Sequence, residues 1–268
     1  LPSPGDVGEI VLVDMKEGDE QVVDRTCGCD SQLGAQLQWG ADDQTLFYND
    51  VDVDDWLPYE VRLDLRSGKR TRLDGTVYMV SQDGSRAASG CLRRIVRTQE
   101  GYGVIVPAEH VPINEGASSK DGLSVTDTST GKRMLFVSLA EIFERAIPDE
   151  EKDDYRGGAF YGFHAKWNPQ GDRLMFVVRW VAPGREQKRN VFTIKADGSE
   201  IHAAVPASEW AKGGHHPNWF PDGSRILMNL NYDLDGLRFI GVNHDGSDLR
   251  VLHPSILGSG HPTILPGD

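Results

Sequence analysis

The sequence contains little cysteine and no excess of positive charge. Its 3 cysteines are Cys27, Cys29 and Cys91, and no Cys-x-x-Cys pair occurs, which excludes the disulfide framework of a small secreted domain. The 28 lysines and arginines are outnumbered by 41 aspartates and glutamates, which gives a net charge of −13 at pH 7. A protein that binds nucleic acid must neutralise phosphates with Lys and Arg. We therefore expect no nucleic-acid partner.

Long apolar runs and two common functional motifs are also missing. No stretch approaches the roughly 18 consecutive apolar residues of a membrane-spanning helix, so no membrane span is predicted. No Gly-x-Ser-x-Gly nucleophile elbow of an α/β-hydrolase occurs. The acidic stretch 50–55 lacks the glycine and the distal glutamate of a calcium-binding EF-hand loop. Nothing in the sequence assigns a cellular compartment.

A two-part repeat occupies most of the chain. Its first part is an apolar strand, a polar turn and a second apolar strand, and it begins at Leu37, Tyr78, Ala165 and Pro217. Its second part is another strand–turn–strand unit, as in VFTIKADGSEIHAAV. Both parts alternate apolar and polar residues around Asp-Gly, Gln-Gly or Ser-Gly turns, which is the pattern of a β-hairpin. Each complete repeat therefore predicts four strands.

One residue anchors each copy of the first part. The anchors are 41, 87, 52 and 45 residues apart, and they are Trp39, Val80, Trp167, Trp219 and Ile264. A four-stranded unit every 40 to 50 residues or so is typical of a β-propeller blade. A β-sandwich also has short strands, but it does not need the same Trp-centred element to recur. The sequence therefore predicts an all-β protein built from propeller blades, with the tryptophans as packing residues.

The ends of the repeat set the number of blades that we expect. Residues 10–24 resemble the last two strands of one blade, and residues 261–268 resemble the start of another. Residues 1–268 are predicted to form a single β-propeller domain with four whole and two partial blades, which is part of a larger, seven-bladed ring. The spacing of 87 contains an excursion with a helical pattern at about 138–156, which opens with the Ser-x-x-Glu signature of a capping box.

Three copies of the repeat carry a histidine at the same position. This position precedes the anchor by three residues and is occupied by Gln36, Val77, His164, His216 and His261. Because the first strand of each blade lines the central channel, we expect these side chains to converge. Converging imidazoles are metal ligands, general acids or bases, or polar residues satisfied by water and backbone. His215, next to His216, adds a further imidazole.

Other polar residues are candidates for the same channel. They are Tyr161, Arg179, Arg93, Arg94 and Tyr102. Arginine binds carboxylates through two parallel hydrogen bonds, and tyrosine donates or accepts a proton. Because the chain has 41 acidic residues, each arginine also has a simpler interpretation as a partner in a surface salt bridge.

The repeat and its histidine segments resemble known propeller families. The element W-x-P-D/Q-G resembles the repeats of TolB-like propellers, and the histidine positions resemble those of oligogalacturonate lyases. The segment FHAKWNPQGDRLMF resembles the catalytic-histidine segment of that lyase family and places this histidine on His164. HHPNWFPDGS and GHPTILPGD resemble its metal-ligand segments and place ligands on His216 and His261. The resemblance implies a seven-bladed propeller with a manganese site, which degrades unsaturated pectin fragments by β-elimination.

Two details modify the site that the resemblance implies. Ile256 and Ser259 stand where the lyase family has a glutamine and a second histidine, so His215 or water would complete the metal shell. The segments AQLQW, LRRI and GYG also resemble ulvan-lyase-type propellers, which use His, Tyr and Arg for β-elimination of uronate polysaccharides. In that comparison Phe163 stands where a tyrosine is expected.

These observations predict a polysaccharide lyase whose partners are uronic-acid-containing oligo- or polysaccharides. His164 is assigned as the base, Arg179 as the group that stabilises the carboxylate, and Tyr161 as the acid. A divalent metal, manganese or else zinc or calcium, is assigned to His216, His261 and His215. Substrate binding is assigned to Arg93, Arg94 and Tyr102. The acidic net charge favours short oligomers that reach the site through a local basic funnel.

Two other functions are compatible with the sequence. The first is a non-catalytic TolB-like propeller that binds protein or glycan partners and whose histidines hold no metal. The second is the propeller domain of a serine peptidase, which requires a hydrolase domain with Gly-x-Ser-x-Gly after residue 268.

Overall fold

The computed structural model describes residues 2–265. Most of its regular structure is strand, and its helices are few and short. The strands are β1 Gly8–Val13, β2 Glu20–Thr26, β3 Gln38–Trp39, β4 Thr45–Asp52, β5 Leu57–Asp64, β6 Lys69–Leu73, β7 Met79–Val80, β8 Arg86–Ser89, β9 Gly122–Asp127, β10 Arg133–Ser138, β11 Ala159–Trp167, β12 Arg173–Val181, β13 Lys188–Lys195, β14 His202–Val205, β15 Gly214–Trp219, β16 Arg225–Leu230, β17 Arg238–Asn243 and β18 Arg250–Val251. The helices are α1 Leu139–Ala146, α2 Asp149–Lys152 and α3 Ala207–Trp210, with 3₁₀ turns at Leu92–Arg97, Ala108–His110 and Asp153–Tyr155. Within residues 2–265, no helix is long and apolar enough to cross a membrane.

The strands form four sheets of four strands and one sheet of two strands. The two-stranded sheet is β1–β2, and the larger sheets are β3 to β6, β7 to β10, β11 to β14 and β15 to β18. Strands that follow one another in the chain are therefore neighbours in a sheet, as the two-part repeat predicts. The all-β class and the four-stranded antiparallel units expected from the sequence are confirmed.

The last copy of the repeat differs from the expectation. Its anchor, Ile264, belongs to residues 261–265, which form no strand in the part of the chain that the structure describes. The remainder of this copy, residues 266–268, lies outside the described residues. The partial blade expected at the other end is present as β1–β2. A ring of seven blades stays a prediction.

The hairpin turns form through local chemistry. In the turn between β13 and β14, Gly198 has a φ of 82°, in the left-handed region that favours glycine. The Asp197 carboxylate accepts a hydrogen bond from the Ser199 backbone N–H at 2.9 Å. This side chain closes the turn without help from other parts of the chain. Turns of this kind are therefore readable from the sequence.

The chain divides into two compact units. The first contains residues 2–113 and 124–135, and the second contains residues 114–123 and 136–265. Strands β1 to β8 belong to the first unit, whereas β11 to β18 and all three α-helices belong to the second. A single domain over residues 1–268 stays a prediction.

The core of the second unit is aromatic and fixes strand β11. Trp167 and Trp180 are fully buried, together with Phe176 on the neighbouring strand. Burial of one large apolar side chain contributes about 1.5–3 kcal/mol to stability. The packing against β11 is close, since a Cβ atom on Gly162 would lie 2.3 Å from Cζ of Phe176. The strand that carries His164 therefore has a well-defined position in its unit.

The tryptophan anchors differ in their burial. Trp167 and Trp219 are buried, as expected of packing residues, and the Trp219 indole N–H donates to the carbonyl oxygen of Lys166 at 3.1 Å. Trp39 is instead 51% exposed, which differs from its expected packing role. Its strand β3 is only two residues long, so little sheet surface covers the indole.

Helix α1 begins at a reciprocal cap. The Ser138 hydroxyl accepts a hydrogen bond from the Glu141 backbone N–H at 3.1 Å, and the Glu141 carboxylate accepts one from the Ser138 backbone N–H at 2.9 Å. Two N–H groups that the helix leaves without partners are satisfied in this way. Leu139 and Ile142 bury the apolar face of the helix. The excursion at 138–156 thus contains α1, α2 and a 3₁₀ turn.

Candidate active site

Two of the predicted histidines lie in β-bulges of the second unit. The pairing of β11 with β12 shifts register between Gly162 and Ala165, and His164 lies in this interval. The pairing of β15 with β16 shifts between His215 and Asn218, around His216. A bulge bends the strand and redirects a side chain, and bulges are frequent beside active sites. The recurring histidine position therefore coincides with a β-bulge in the first strand of both sheets.

His216 has an unusual backbone conformation. Its φ is 57°, in the left-handed region that few residues other than glycine adopt. Gln36, at the equivalent position of the first complete repeat, has a φ of 58°. The same side-chain position is thus presented by the same backbone geometry in two copies of the repeat.

The hydrogen bonds of His216 define its tautomer. Its Nδ1 lies 2.7 Å from the carbonyl oxygen of Gly260. Because a carbonyl oxygen only accepts, Nδ1 carries the proton and Nε2 holds the free lone pair. Burial lowers the pKa of His216, while the bond to Gly260 opposes this shift, and His261 and Lys166 also lower it. His216 is therefore a neutral imidazole with Nε2 available as a base or ligand.

His215 supports His216. Its Nδ1 lies 2.8 Å from Nδ1 of His216 and 3.2 Å from the amide nitrogen of Asn229. The Asn229 amide also donates to the carbonyl oxygen of Gly260, at 2.8 Å. Because the Asn229 amide nitrogen donates, Nδ1 of His215 is an acceptor and Nε2 carries its proton. Burial, followed by the charges of His216 and His261, lowers the pKa of His215. In this arrangement His215 orients His216 and has no free lone pair for a metal.

His261 reaches the cluster on the segment after β18. Its ring stacks on that of His216, with centroids 3.8 Å apart and an interplanar angle of 25°. The segment is held by a bridge between Leu257 and Arg238 and by a hydrogen bond from the Gly258 N–H to the carbonyl oxygen of Leu237 at 2.8 Å. His261 itself is exposed.

His164 is a neutral imidazole next to two cations. Burial lowers its pKa well below the ordinary value, and the charges of Lys166, Arg179, His216 and His261 lower it further. Its ring lies 4.1 Å from the ring of Phe163. An imidazole that stays unprotonated at neutral pH can accept a proton from a substrate. The structure therefore supports the chemical state that a base requires.

Lys166 is a member of the site that the sequence analysis missed. Its ammonium donates to the carbonyl oxygen of Pro217 at 3.0 Å, and burial lowers the pKa of Lys166 to about 8. Its place two residues after His164 on β11 was the available signal, because alternate residues of a strand share a face. A buried cation beside a neutral base is an arrangement suited to an anionic substrate.

Arg179 lies on the neighbouring strand β12, where its direct pairing partner on β11 is Tyr161. It is buried, and its guanidinium carbon is 3.5 Å from the centroid of the Phe163 ring. Such a cation–π contact orients the guanidinium plane. Phe163 therefore connects Arg179 to His164, since it contacts both. The structure brings together His164, Arg179 and Lys166.

Tyr161 is buried in a different set of contacts. Its hydroxyl oxygen accepts a hydrogen bond from the Asn114 backbone N–H at 3.2 Å. The Asn114 side chain is itself held by Asp121, at 2.6 Å, and by the carbonyl oxygen of Phe160, at 2.8 Å. The bond from Asn114 uses a lone pair of the hydroxyl oxygen and not its hydrogen. Its role as an acid stays a prediction.

The predicted substrate-binding residues belong to the first unit. Arg93 donates to the carbonyl oxygen of His110 at 3.2 Å and to that of Trp56 at 3.4 Å. Arg94 follows it in the same 3₁₀ turn. Tyr102 lines a largely apolar cavity of about 510 Å³. The substrate-binding role of these residues stays a prediction.

The predicted metal site is not formed by the side chains present. Among residues 2–265, no three His, Cys, Asp or Glu side chains are placed to hold a metal ion. The rings of His216 and His261 are stacked, and Nδ1 of His215 is used as an acceptor. Manganese also favours oxygen ligands, and this cluster contains only imidazoles. The donor set therefore does not fit manganese.

Comparison with known proteins identifies the fold. No family model matches the chain. It is similar to the β-propeller domain of the Trilobed protease from Pyrococcus furiosus, with a TM-score of 0.54 and 10% identity over 99% of this chain and 71% of that chain. An oligogalacturonate lyase in complex with manganese matches with a TM-score of 0.52 and 15% identity, over 93% of this chain and 61% of that chain. A putative TolB from Agrobacterium tumefaciens matches with a TM-score of 0.48 and 16% identity, over 91% of this chain and 68% of that chain.

The similarities to the protease propeller domain and to the lyase establish the β-propeller fold predicted from the repeat. The chain spans only about three fifths of the length of the lyase, 61%. At identities of 10 to 16%, the likeness shows the fold alone. Membership of the TolB-like, oligogalacturonate-lyase-like or ulvan-lyase-like group stays a prediction.

Proposed function

We propose that this chain is a carbohydrate-active propeller that cleaves uronic-acid-containing oligosaccharides or polysaccharides by β-elimination. The observation that carries the proposal is the neutral imidazole of His164 next to the cations Lys166 and Arg179. The similarity in fold to an oligogalacturonate lyase supports the same reaction class. The proposed substrate is therefore a chain of sugars that carry carboxylates at C6.

The reaction requires a base and a means of neutralising the carboxylate. In β-elimination, the C5–H bond and the C4–O4 bond break, a C4=C5 double bond forms, and the C5 proton passes to the base. The C5 proton becomes acidic only when the charge of the C6 carboxylate is neutralised. The leaving O4 finally receives a proton.

Lys166 and Arg179 supply the neutralising charges. The guanidinium of Arg179 is fixed on the Phe163 ring, and guanidinium binds carboxylate through two parallel hydrogen bonds. The ammonium of Lys166 uses one N–H on Pro217 and has two more to donate. With a pKa of about 8, Lys166 is mostly protonated at pH 7. Both charges are therefore present where the substrate carboxylate is proposed to bind.

Substrate binding would strengthen the base. In the free protein, the charges of Lys166 and Arg179 contribute to the low pKa of His164. A carboxylate bound between them compensates these charges and moves the pKa of His164 back towards its ordinary value. The imidazole is then a better proton acceptor in the complex than in the free protein. We assign proton donation to O4 to Tyr161, whose hydroxyl hydrogen is not used by Asn114.

The divalent metal expected from the sequence, manganese or else zinc or calcium, is not part of the proposed reaction, because the described residues do not form its site. The lyase of similar fold is in complex with manganese. In this chain Nε2 of His216 and the ring of His261 are the nitrogen donors that such a metal would use, and the described residues supply no third. We derive no step of the reaction through a metal.

A non-catalytic binding propeller is the second candidate. It is supported by the similarity to the propeller domain of a protease, which has a TM-score of 0.54. In this interpretation the imidazoles and cations bind a carboxylated glycan or an acidic protein segment without turnover. A peptidase-associated propeller is the third possibility and requires a hydrolase domain elsewhere in the protein.

Turnover of defined uronate oligomers separates these candidates. Saturated galacturonate and glucuronate-containing oligomers are incubated with the protein, and the ultraviolet absorbance of the 4,5-unsaturated product is followed. The proposal expects product with the wild type and with His253→Gln, an exposed histidine outside the cluster, and none with His164→Gln. Binding without product in the wild type would establish the non-catalytic candidate instead.

A further inference from the structure

A second cleft of the same unit lies beside the proposed active site. Its volume is about 720 Å³, within the range of sites that bind small ligands. The β12–β13 connection and the start of β13 form one wall, the 3₁₀ turn after α2 forms another, and α3 with the loop after it forms the third. Its lining includes Tyr155, Arg185, Lys188, Arg189 and Trp210. We call this space the outer cleft.

Strand pairing connects the outer cleft to the proposed carboxylate site. Arg179 is the direct partner of Arg189 in the pairing of β12 with β13. Directly opposed residues share a face of the sheet, with Cα atoms about 4.5–5.5 Å apart. A second link joins the cleft to the histidine cluster, because the Trp210 indole donates to the carbonyl oxygen of Gly214 at 2.8 Å, and Gly214 precedes His215.

Arg189 makes no ion pair within the described residues, and Arg185, which makes none either, uses its guanidinium on two backbone carbonyls. Among the described residues, its only bond is from Nε to the side-chain oxygen of Gln187, at 2.9 Å. Arg185 also stacks on Trp180. Lys188 lies 3.5 Å from a carboxylate oxygen of Asp154. Arg189 is half-buried, and its two terminal nitrogens can donate to both oxygens of one carboxylate.

The acidic residues of the cleft limit what it can accept. Asp154 is engaged by Lys188, and Glu151 and Glu186 are the other two carboxylates at its lining. Three acids and three bases leave the cleft near neutrality, so it has no general attraction for polyanions. A single carboxylate placed at Arg189 is the ligand chemistry that the cleft matches.

We propose that the outer cleft is a second sugar subsite, in which Arg189 binds the carboxylate of another uronate residue of the same substrate chain. This inference rests on the proposed function, because it extends the substrate held at Arg179. With this subsite, the affinity of the protein depends on the length of the substrate. Oligomers that reach Arg189 bind more tightly than a dimer does. Arg189 is a specificity-determining residue in this proposal and takes no part in proton transfer.

Substrate-length dependence tests the subsite. Dissociation constants for di- and tetragalacturonate are measured by calorimetry, with each substitution made in the inactive His164→Gln protein. The value of kcat/KM is measured with each substitution made in the otherwise wild-type protein. Arg189→Ala is expected to weaken binding of the tetramer by about 10- to 100-fold and that of the dimer by less than about 2-fold. Lys195→Ala, which removes a half-buried cation at the other end of the same strand, is the matched control and is expected to change neither.

The outcomes distinguish failure of the subsite from failure of the proposed function. Equal loss for both lengths, or no loss for either, overturns the subsite, even if the wild type forms product. A length-dependent loss in the binding assay supports the subsite, even if no variant forms product, and the proposed lyase activity then fails alone. Arg189→Lys, which keeps the charge but not the paired donors, is expected to recover only part of the affinity for the tetramer. Circular dichroism confirms that each variant is folded, and a folded Arg189→Ala that keeps its preference for the tetramer overturns the inference.

Discussion

The ammonium of Lys166 donates a hydrogen bond to the carbonyl oxygen of Pro217 at 3.0 Å, and this contact joins β11 to β15. The lysine is thereby held two residues after His164 on its own strand and next to the strand residue that follows His216. Burial lowers its pKa to about 8, so the ammonium is retained at neutral pH but lost under mildly alkaline conditions. The position of one cation thus links two strands, both of which carry a histidine of the proposed site.

Replacement of the base is the most direct prediction. His164→Gln is expected to lower kcat for β-elimination by about 100-fold or more, the usual contribution of a positioned general base. KM should change little, because the carboxylate contacts with Lys166 and Arg179 remain. Initial rates of ultraviolet absorbance increase measure the effect. Retention of more than a tenth of the wild-type kcat would show that another group takes the proton.

The activity is expected to decline above about pH 8. Burial lowers the pKa of Lys166 to about 8, so its ammonium is protonated below that pH and becomes a neutral amine above it. His164 is already unprotonated below its ordinary titration range, so the acid side of the profile is expected to begin below pH 6.5. Rates from pH 5 to 10 with the wild type and Lys166→Arg measure this. Arginine keeps its charge, so the alkaline decline should move upwards by more than one pH unit. An unchanged alkaline limb in Lys166→Arg would exclude Lys166 as its origin.

Metal removal is expected to have little effect. The cluster offers Nε2 of His216 and the ring of His261, and no third donor side chain joins them among residues 2–265. Elemental analysis of protein purified without chelator should find less than one equivalent of manganese, zinc or calcium, and prolonged dialysis against chelator should change activity by less than about 2-fold. Near-stoichiometric metal that disappears in both His216→Ala and His261→Ala would contradict this.

Stability is expected to fall as the pH rises because of Glu60. Its carboxyl is fully buried on β5, neither oxygen has a hydrogen-bond partner within residues 2–265, and burial raises the pKa of Glu60 to about 8. Between the ordinary value of 4.5 and 8, the folded chain binds more protons than the unfolded chain, so the free energy of unfolding decreases with increasing pH in that window.

Glu60→Gln removes this titration without removing the side chain. The variant is expected to match the wild type near pH 5 and to be more stable by about 2–4 kcal/mol near pH 9. Urea unfolding at the two pH values measures the difference. An exposed glutamate in the same unit, replaced as Glu109→Gln, is the control. Parallel stability curves for wild type and Glu60→Gln would show that Glu60 does not titrate in this range.

The hairpins and the blade units were predictable because their determinants are local. Each Asp-Gly turn is closed by its own side chain, as at Asp197 and Ser199, and alternating apolar residues set which face is buried. The histidine position was predictable for the same reason, since it keeps a fixed distance from the anchor. The length of β3 was not predictable, and it leaves Trp39 exposed where a packed tryptophan was expected.

The chemistry of the site depended on contacts that sequence spacing does not reveal. The tautomer of His216 is set by Gly260, which is 44 residues away in the chain. Lys166 was missed because the position of its ammonium is set by a hydrogen bond to the carbonyl oxygen of Pro217, which lies on another strand. His215 was assigned as a metal ligand because it neighbours His216, yet its Nδ1 accepts a hydrogen bond from the Asn229 amide. Such roles arise from tertiary neighbours and not from residue type.

The shared backbone geometry of Gln36 and His216 has an evolutionary consequence. Both residues have a φ near 57°, so the repeat presents this position in the same conformation whether or not it carries an imidazole. A codon for glutamine becomes a codon for histidine by one nucleotide change. Duplication of a blade therefore also copies the backbone conformation that presents this side chain. A point mutation at this position can then introduce a reactive side chain without a change in the conformation of the strand.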